Sequence, residues 1–216
     1  MPCYGCQAPA VVVALWVALA KSDGGLRMQG IFRLAPDPNV ALAVERELEK
    51  GCLQPGHPPE VLAHLIKSFM RRLPGGLLGR VPMEKIENCV NTEGALAMLE
   101  CLAPHARSLL EWLVRVIVEV AEYKEENSMG LRNLTLVIAP NLLVTGPSEG
   151  GAGEPCKKKG TWISRKAHGH GAAKKNERES GRISGRVINP LEELANIESA
   201  SNALYMLCNA SVRVRL

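Results

Sequence analysis

Aromatic residues are scarce in this chain. Trp, Tyr and Phe together make up 4% of its 216 residues, so any core must be built from Leu, Val, Ile, Ala and Met. Long apolar runs are missing too. The longest, Ala8 to Ala20, has thirteen residues, and a membrane-spanning helix needs about twenty. No basic region precedes it, as a secretory signal would require. The seven cysteines are odd in number and mostly scattered among apolar residues, which argues against a disulfide framework and for a reducing compartment. Cys3 and Cys6 form a lone CxxC at an end expected to fray, and no second ligand pair follows to complete a zinc site. Self-contained catalysis is equally absent. There is no P-loop, dinucleotide fingerprint, HExxH or GxSxG, and none of the five histidines has a visible nucleophile beside it.

What is present is an ordinary globular composition, 46% hydrophobic and 22% charged, in a length that suits one domain. The net charge of +4 is concentrated. Ten of the 26 Lys and Arg and four of the 22 Asp and Glu fall between 145 and 188, leaving a near-neutral remainder. That segment is rich in Gly and Lys and poor in Leu, Ile, Val and Phe. It cannot bury enough apolar surface to offset its ordering entropy, and we read it as a disordered insertion.

The rest of the chain has helical periodicity. Val12, Leu15, Trp16 and Leu19 make one stripe, and turn formers from Ser22 to Gly25 end that helix. Asp37 and Pro38 form a cap-plus-proline start for a helix through Val40, Val44 and Leu48, closed at Gly51. Residues 60–73 carry the clearest amphipathic pattern, with Val61, Leu62, Leu65, Ile66, Phe69 and Met70 on one face. A short helix over 83–88 follows, then one capped by Thr92 and running through Leu96, Leu99 and Leu102. The longest helix is expected to open at Pro104 and reach about Glu125. Asn127 to Gly130 breaks the chain, Leu131 to Ile138 is helical with Asn133 inside it, and Pro140 ends it. Asn189 and Pro190 start a last helix with Leu191, Leu194, Ile197, Ala200, Leu204 and Leu207 on its apolar face. The expectation is an all-α bundle: one domain over 8–144 plus 189–208, an insertion over 145–188 before the last helix, and tails at 1–7 and 209–216.

The chemistry-bearing residues are cationic or amide groups without an acid–base partner. Arg33 ends the stretch LRMQGIFRL, and Lys67 and Arg71, four apart, share a helix face. Such a set suits phosphoryl transfer, where charge spreads over oxygens and a planar guanidinium stabilises it.

Three blocks then carry a resemblance: GIFR (30–33), LIKSFMRRLPGGLL (65–78) and NSMGLRNLTLVIAPNLL (127–143). In this order and spacing they resemble the RhoGAP domain, the GTPase-activating module for Rho-family small GTPases. The proline-glycine form of the second block is similar to plant domains acting on Rop GTPases. The resemblance implies a RhoGAP-like helical bundle with Arg33 as an arginine finger given in trans. It implies that Lys67, Arg71 and Asn141 contact the GTPase and that Asn133 and Pro140 shape the same face. Gly30 then reads as the bend, and Phe32 as an anchor of the finger loop. Nucleotide and magnesium would belong to the partner, a Rho or Rop GTPase in its GTP state, so no cofactor or metal is expected on this chain. The module is expected to be a cytoplasmic monomer, recruited to the membrane with its GTPase. Gln29 and Arg72 stand where the family commonly has Glu, and Ser128 where it has Lys. These departures predict a more positive face and an altered choice of GTPase.

Plainer readings accompany each residue. Arg33 alone would be a solvated loop arginine, Lys67 and Arg71 a solvated helix face, Asn141 a helix terminator, and Asn133 a backbone-bonding group. Two other functions fit the chain: a module that docks a GTPase or another partner without accelerating hydrolysis, and a basic insert serving as a nucleic-acid, anionic-membrane or nuclear-import tract, with weak anionic-membrane contact over 157–186, against the plainer reading of a solvated linker. No specific nucleic acid is expected, since only Trp162 would be available for stacking within the tract.

Overall fold

The computed structural model describes residues 5–143 and 190–215. Nine α-helices and two 3₁₀ turns, without strands, make up the regular structure among these residues. The insertion 145–188 and the Asn189 cap lie outside them.

Helix α1 (Ala10–Lys21) buries the four residues of its predicted stripe, including Trp16. A 3₁₀ turn (Gly25–Arg27) leads into the loop that carries Arg33. Helix α2 (Pro38–Glu49) starts as its sequence dictates, with the Asp37 carboxylate accepting from the Asn39 and Val40 amides. Its buried face is narrower than expected. Ala41 and Val44 are inside, Leu48 is half-buried, and Val40 is exposed. Helix α3 (Pro59–Arg71) buries all six residues of its predicted apolar face. Each is worth about 1.5–3 kcal/mol in gross transfer terms, which holds the helix as a firm base for the side chains on its other face.

Helices α4 (Met83–Glu87) and α5 (Thr92–Glu100) are short. Asn91, rather than Thr92, caps α5, because its side chain reaches the Gly94 amide at 2.8 Å. Leu96 is exposed, and Ala95, Met98 and Leu99 are the buried face. Helix α6 (Pro104–Ala121) buries Trp112 and eight other residues. It stops short of Glu125: the chain turns at Glu122 and Tyr123 and makes a separate one-turn helix, α7 (Lys124–Asn127). Helix α8 (Leu131–Ile138) passes into a 3₁₀ turn, Ala139–Asn141, at Pro140.

The last helix, α9 (Pro190–Arg215), is the longest of the described elements, and it continues through most of the expected tail. Its apolar stripe is shorter than the sequence suggested. Leu191 and Leu194 are 73% and 63% exposed, and the fully buried part of the helix begins at Ala200 and includes Ala203, Leu204, Leu207 and Cys208. There α9 packs on α4, α5, α6 and α8, while α1 packs on α3 at the other side of one continuous core. Among the described residues no helix is long and apolar enough to cross a membrane, and no group of three or more His, Cys, Asp and Glu is placed to hold a metal ion.

Candidate functional site

The loop after the first 3₁₀ turn has an unusual backbone. Gly30 has φ 72°, the left-handed region that glycine enters freely. Phe32 has φ 67°, where a side chain costs about 1–2 kcal/mol. That conformation persists because Ile31 and Phe32 are 0% and 1% exposed, sunk in the core as anchors. The twist turns the next residue outward. Arg33 is exposed, its amide donating to the Gly30 carbonyl at 2.9 Å. Among the described residues its guanidinium has no ion pair and no hydrogen bond.

The carbonyl of Phe32 is used as well. Lys67, on the outer face of α3, donates its ammonium to that oxygen. Burial pushes the Lys67 ammonium below its ordinary value, and Arg71 one turn along pushes in the same direction. His64, one turn back, is lowered by burial and then by Lys67 and Arg71. Arg71 in turn grips an amide: its Nε and one terminal nitrogen donate to Asn141 Oδ1 at 3.0 and 2.8 Å. Asn141 is 5% exposed, and its Nδ2 donates to the carbonyls of Val137 and Ile138 at 3.0 and 3.2 Å. Its side chain therefore closes the end of α8 and receives Arg71 at once. Pro140 sits at the start of that turn, where its missing amide costs nothing. A backbone bond from the Leu78 amide to the Leu142 carbonyl, 2.9 Å, ties the segment after α3 to the same turn.

Thus Arg33 and Lys67 are joined through Phe32, and Arg71 is joined to Asn141. Asn133 is placed one step further out, donating to the Ser128 carbonyl at 3.2 Å from an exposed position. The electrostatic point is the character of the partners. Lys67 and Arg71 are held by a carbonyl and an amide oxygen, and neither makes an ion pair among the described residues. Their charges are oriented but not neutralised.

The structure alters one expectation. Arg72 does not add free charge to this face, because it pairs with Glu45 on α2. Asn127, which opens the third block at the break before Leu131, also belongs to the site although its sequence position did not mark it. It is fully buried, and its carbonyl accepts from the Gly30 amide at 2.8 Å. The signal was faint: one asparagine before Ser128, itself left-handed at φ 59°.

The family model for the RhoGAP domain matches residues 9–146. Rho GTPase-activating protein 5 of Arabidopsis thaliana is 33% identical over 132 residues, covering 61% of this chain and 40% of its own. Rho GTPase-activating protein gacA of Dictyostelium discoideum is 30% identical over 131 residues, covering 61% of this chain and 39% of its own. The chain thus spans about two fifths of the length of these curated relatives. Among solved structures, human Rho GTPase activating protein 15 has a similar fold, with a TM-score of 0.65, 14% identity, and coverage of 94% of this chain and 82% of that one. The BH domain of GRAF gives a TM-score of 0.59 at 13% identity, covering 95% of each chain. With a family match over more than half its length, this chain belongs to the RhoGAP domain family.

Proposed function

We propose that this domain stimulates GTP hydrolysis by a Rho-family small GTPase in its GTP state and that Arg33 is the group it supplies. One observation carries the reading: an exposed arginine with no acidic partner among the described residues, presented by a loop whose two preceding residues are buried. The chemistry fits. Hydrolysis of a γ-phosphate needs little covalent work from a protein and much charge stabilisation, and a guanidinium that stays charged and offers planar donors provides it. GTP, magnesium and the attacking water are the partner's, which makes this chain an activator rather than a hydrolase.

Lys67 has two roles in this reading. It fixes the finger loop through Phe32, and together with Arg71 it offers the partner a positive surface. A partly buried ammonium held only by a carbonyl gains from a carboxylate brought by the partner. Asn141 orients Arg71 and lies beside the same surface. We further propose that the domain acts as a cytoplasmic monomer and reaches membranes with its GTPase, with the 157–186 tract adding a weak anionic-surface contact.

The test is single-turnover GTP hydrolysis by a panel of purified Rho and Rop GTPases. Acceleration of at least one member is expected. Saturable binding to a member with no change in its hydrolysis rate would instead make the domain a docking module.

A further inference from the structure

The exposed finger has a deeply buried clamp. Asn127, the last residue of α7, is 0% exposed and uses every polar atom of its side chain. Its Nδ2 donates to the Leu26 carbonyl at 2.8 Å and to the Val120 carbonyl at 2.9 Å. Its Oδ1 accepts from the Met129 amide at 2.7 Å. Its own carbonyl accepts from the Gly30 amide at 2.8 Å. One residue therefore binds both Leu26 and Gly30, the two ends of the approach to the finger, and fixes them to the C-terminal end of α6.

The linkage from Gly30 to Arg33 is short. The Gly30 carbonyl accepts from the amides of both Arg33 and Leu34, at 2.9 and 3.0 Å. A shift of Gly30 is passed through one peptide unit into the backbone of Arg33. Outside this buried layer, Arg27 reinforces the same seat. It donates to both carboxylate oxygens of Glu126 at 2.8 and 2.9 Å, and its guanidinium lies 4.9 Å over the Tyr123 ring. This outer layer is exposed, and pairs of that kind add little to stability. The buried amide is the stronger tie, since an unmet donor or acceptor there carries the full desolvation penalty.

We infer that Asn127 is the positioning residue for the arginine finger, setting where Arg33 stands without touching the partner. This rests on the activating role proposed above. Entry to the loop is then fixed by Asn127 and exit by Lys67, so the finger is held from two opposite elements. A catalytic guanidinium needs that, because a displacement of about 1 Å far from the chemistry costs on the order of 10²-fold in rate.

The experiment compares the parent, Arg33→Ala and Asn127→Asp in single-turnover hydrolysis, with the half-saturating concentration and the melting temperature measured for each. Aspartate keeps the shape of asparagine but turns an acceptor toward the Leu26 and Val120 carbonyls. The expected result for Asn127→Asp is a saturating rate lowered about tenfold or more, with half-saturation changed less than threefold, in protein that remains folded. The variant-to-parent rate ratio should rise as pH falls from about 8 to about 6, because burial raises the new carboxyl's pKa and its protonated form donates one hydrogen back. A folded variant with the parent's saturating rate overturns the positioning role alone. A parent that stimulates no GTPase overturns the activating role, an Arg33→Ala variant equal to a stimulating parent overturns the finger assignment, and either outcome takes this inference with it. If Asn127→Asp does not fold, amide hydrogen exchange on the parent decides. The Gly30 amide should exchange at least about 10²-fold slower than in an unstructured chain, and exchange at the unstructured rate would contradict the clamp.

Discussion

Two sets of basic side chains on this domain are treated differently. Arg27, Arg72 and Arg107 each meet a carboxylate, from Glu126, Glu45 and Glu111. Arg33, Lys67 and Arg71 meet none among the described residues. Lys67 and Arg71 are held by a main-chain carbonyl and a side-chain amide, groups that orient a cation without cancelling it. Arg72 follows Arg71 in the chain, and the two go to opposite fates within one helix turn. A bundle with an apolar core thus keeps one face charged by assigning orientation and neutralisation to different residues.

The most damaging way to test the comparison, short of deleting the finger, is to keep its charge and change its shape. Arg33→Lys retains a cation but loses the two-pronged donor, and the saturating rate should fall by roughly 10²-fold with affinity nearly unchanged. Phe32→Ala removes the anchor. Buried Phe to Ala costs about 3–5 kcal/mol, so a melting temperature several degrees lower is expected by calorimetry, together with weaker activation per folded molecule. Parent-like activity in fully folded Phe32→Ala would remove the anchor role. Lys67→Met takes away a hydrogen bond from a charged group, worth about 1.5–3 kcal/mol, and should lower the rate about tenfold or more. Glu45→Gln frees Arg72 and should change the rate less than twofold, because that pair belongs to the neutralised set.

The pH dependence of stability sharpens the same contrast at Lys67. Its folded value lies below the ordinary 10.5. Between the two values the unfolded chain binds more protons than the folded one, so stability rises with pH across that interval. Denaturant titrations at increasing pH should show this increment in the parent and lack it in Lys67→Met. Equal slopes would mean that the ammonium is as well solvated folded as unfolded.

Much of the fold was legible because it rests on local rules. The stripes of α1 and α3, the Asp37 cap and the breaks at Gly51 and Pro140 are written in a few neighbouring residues each. The errors share a cause. Leu96, Leu191 and Leu194 fall on apolar periods yet stay exposed, since periodicity cannot say how far a neighbouring element extends. Asn91 displaced Thr92 because either type can cap, and only the turn geometry chooses. The candidate site divides the same way. Lys67 and Arg71 share a face by spacing alone, and GIFR marks the loop. The Asn127 clamp spans 101 residues of sequence to Leu26, and the Arg72–Glu45 pair joins two helices. Contacts of that reach leave no local pattern.

The most direct measurement sets Arg33→Ala against Arg72→Ala in single-turnover GTP hydrolysis with the Rho-type GTPase that responds best to the parent. The expectation is that Arg33→Ala loses about 10³-fold or more of the stimulation at saturating domain. Arg72→Ala should stay within about twofold, as removal of an exposed, already neutralised charge allows. An Arg33→Ala variant that stimulates as well as the parent, or an Arg72→Ala variant that loses as much, would contradict it.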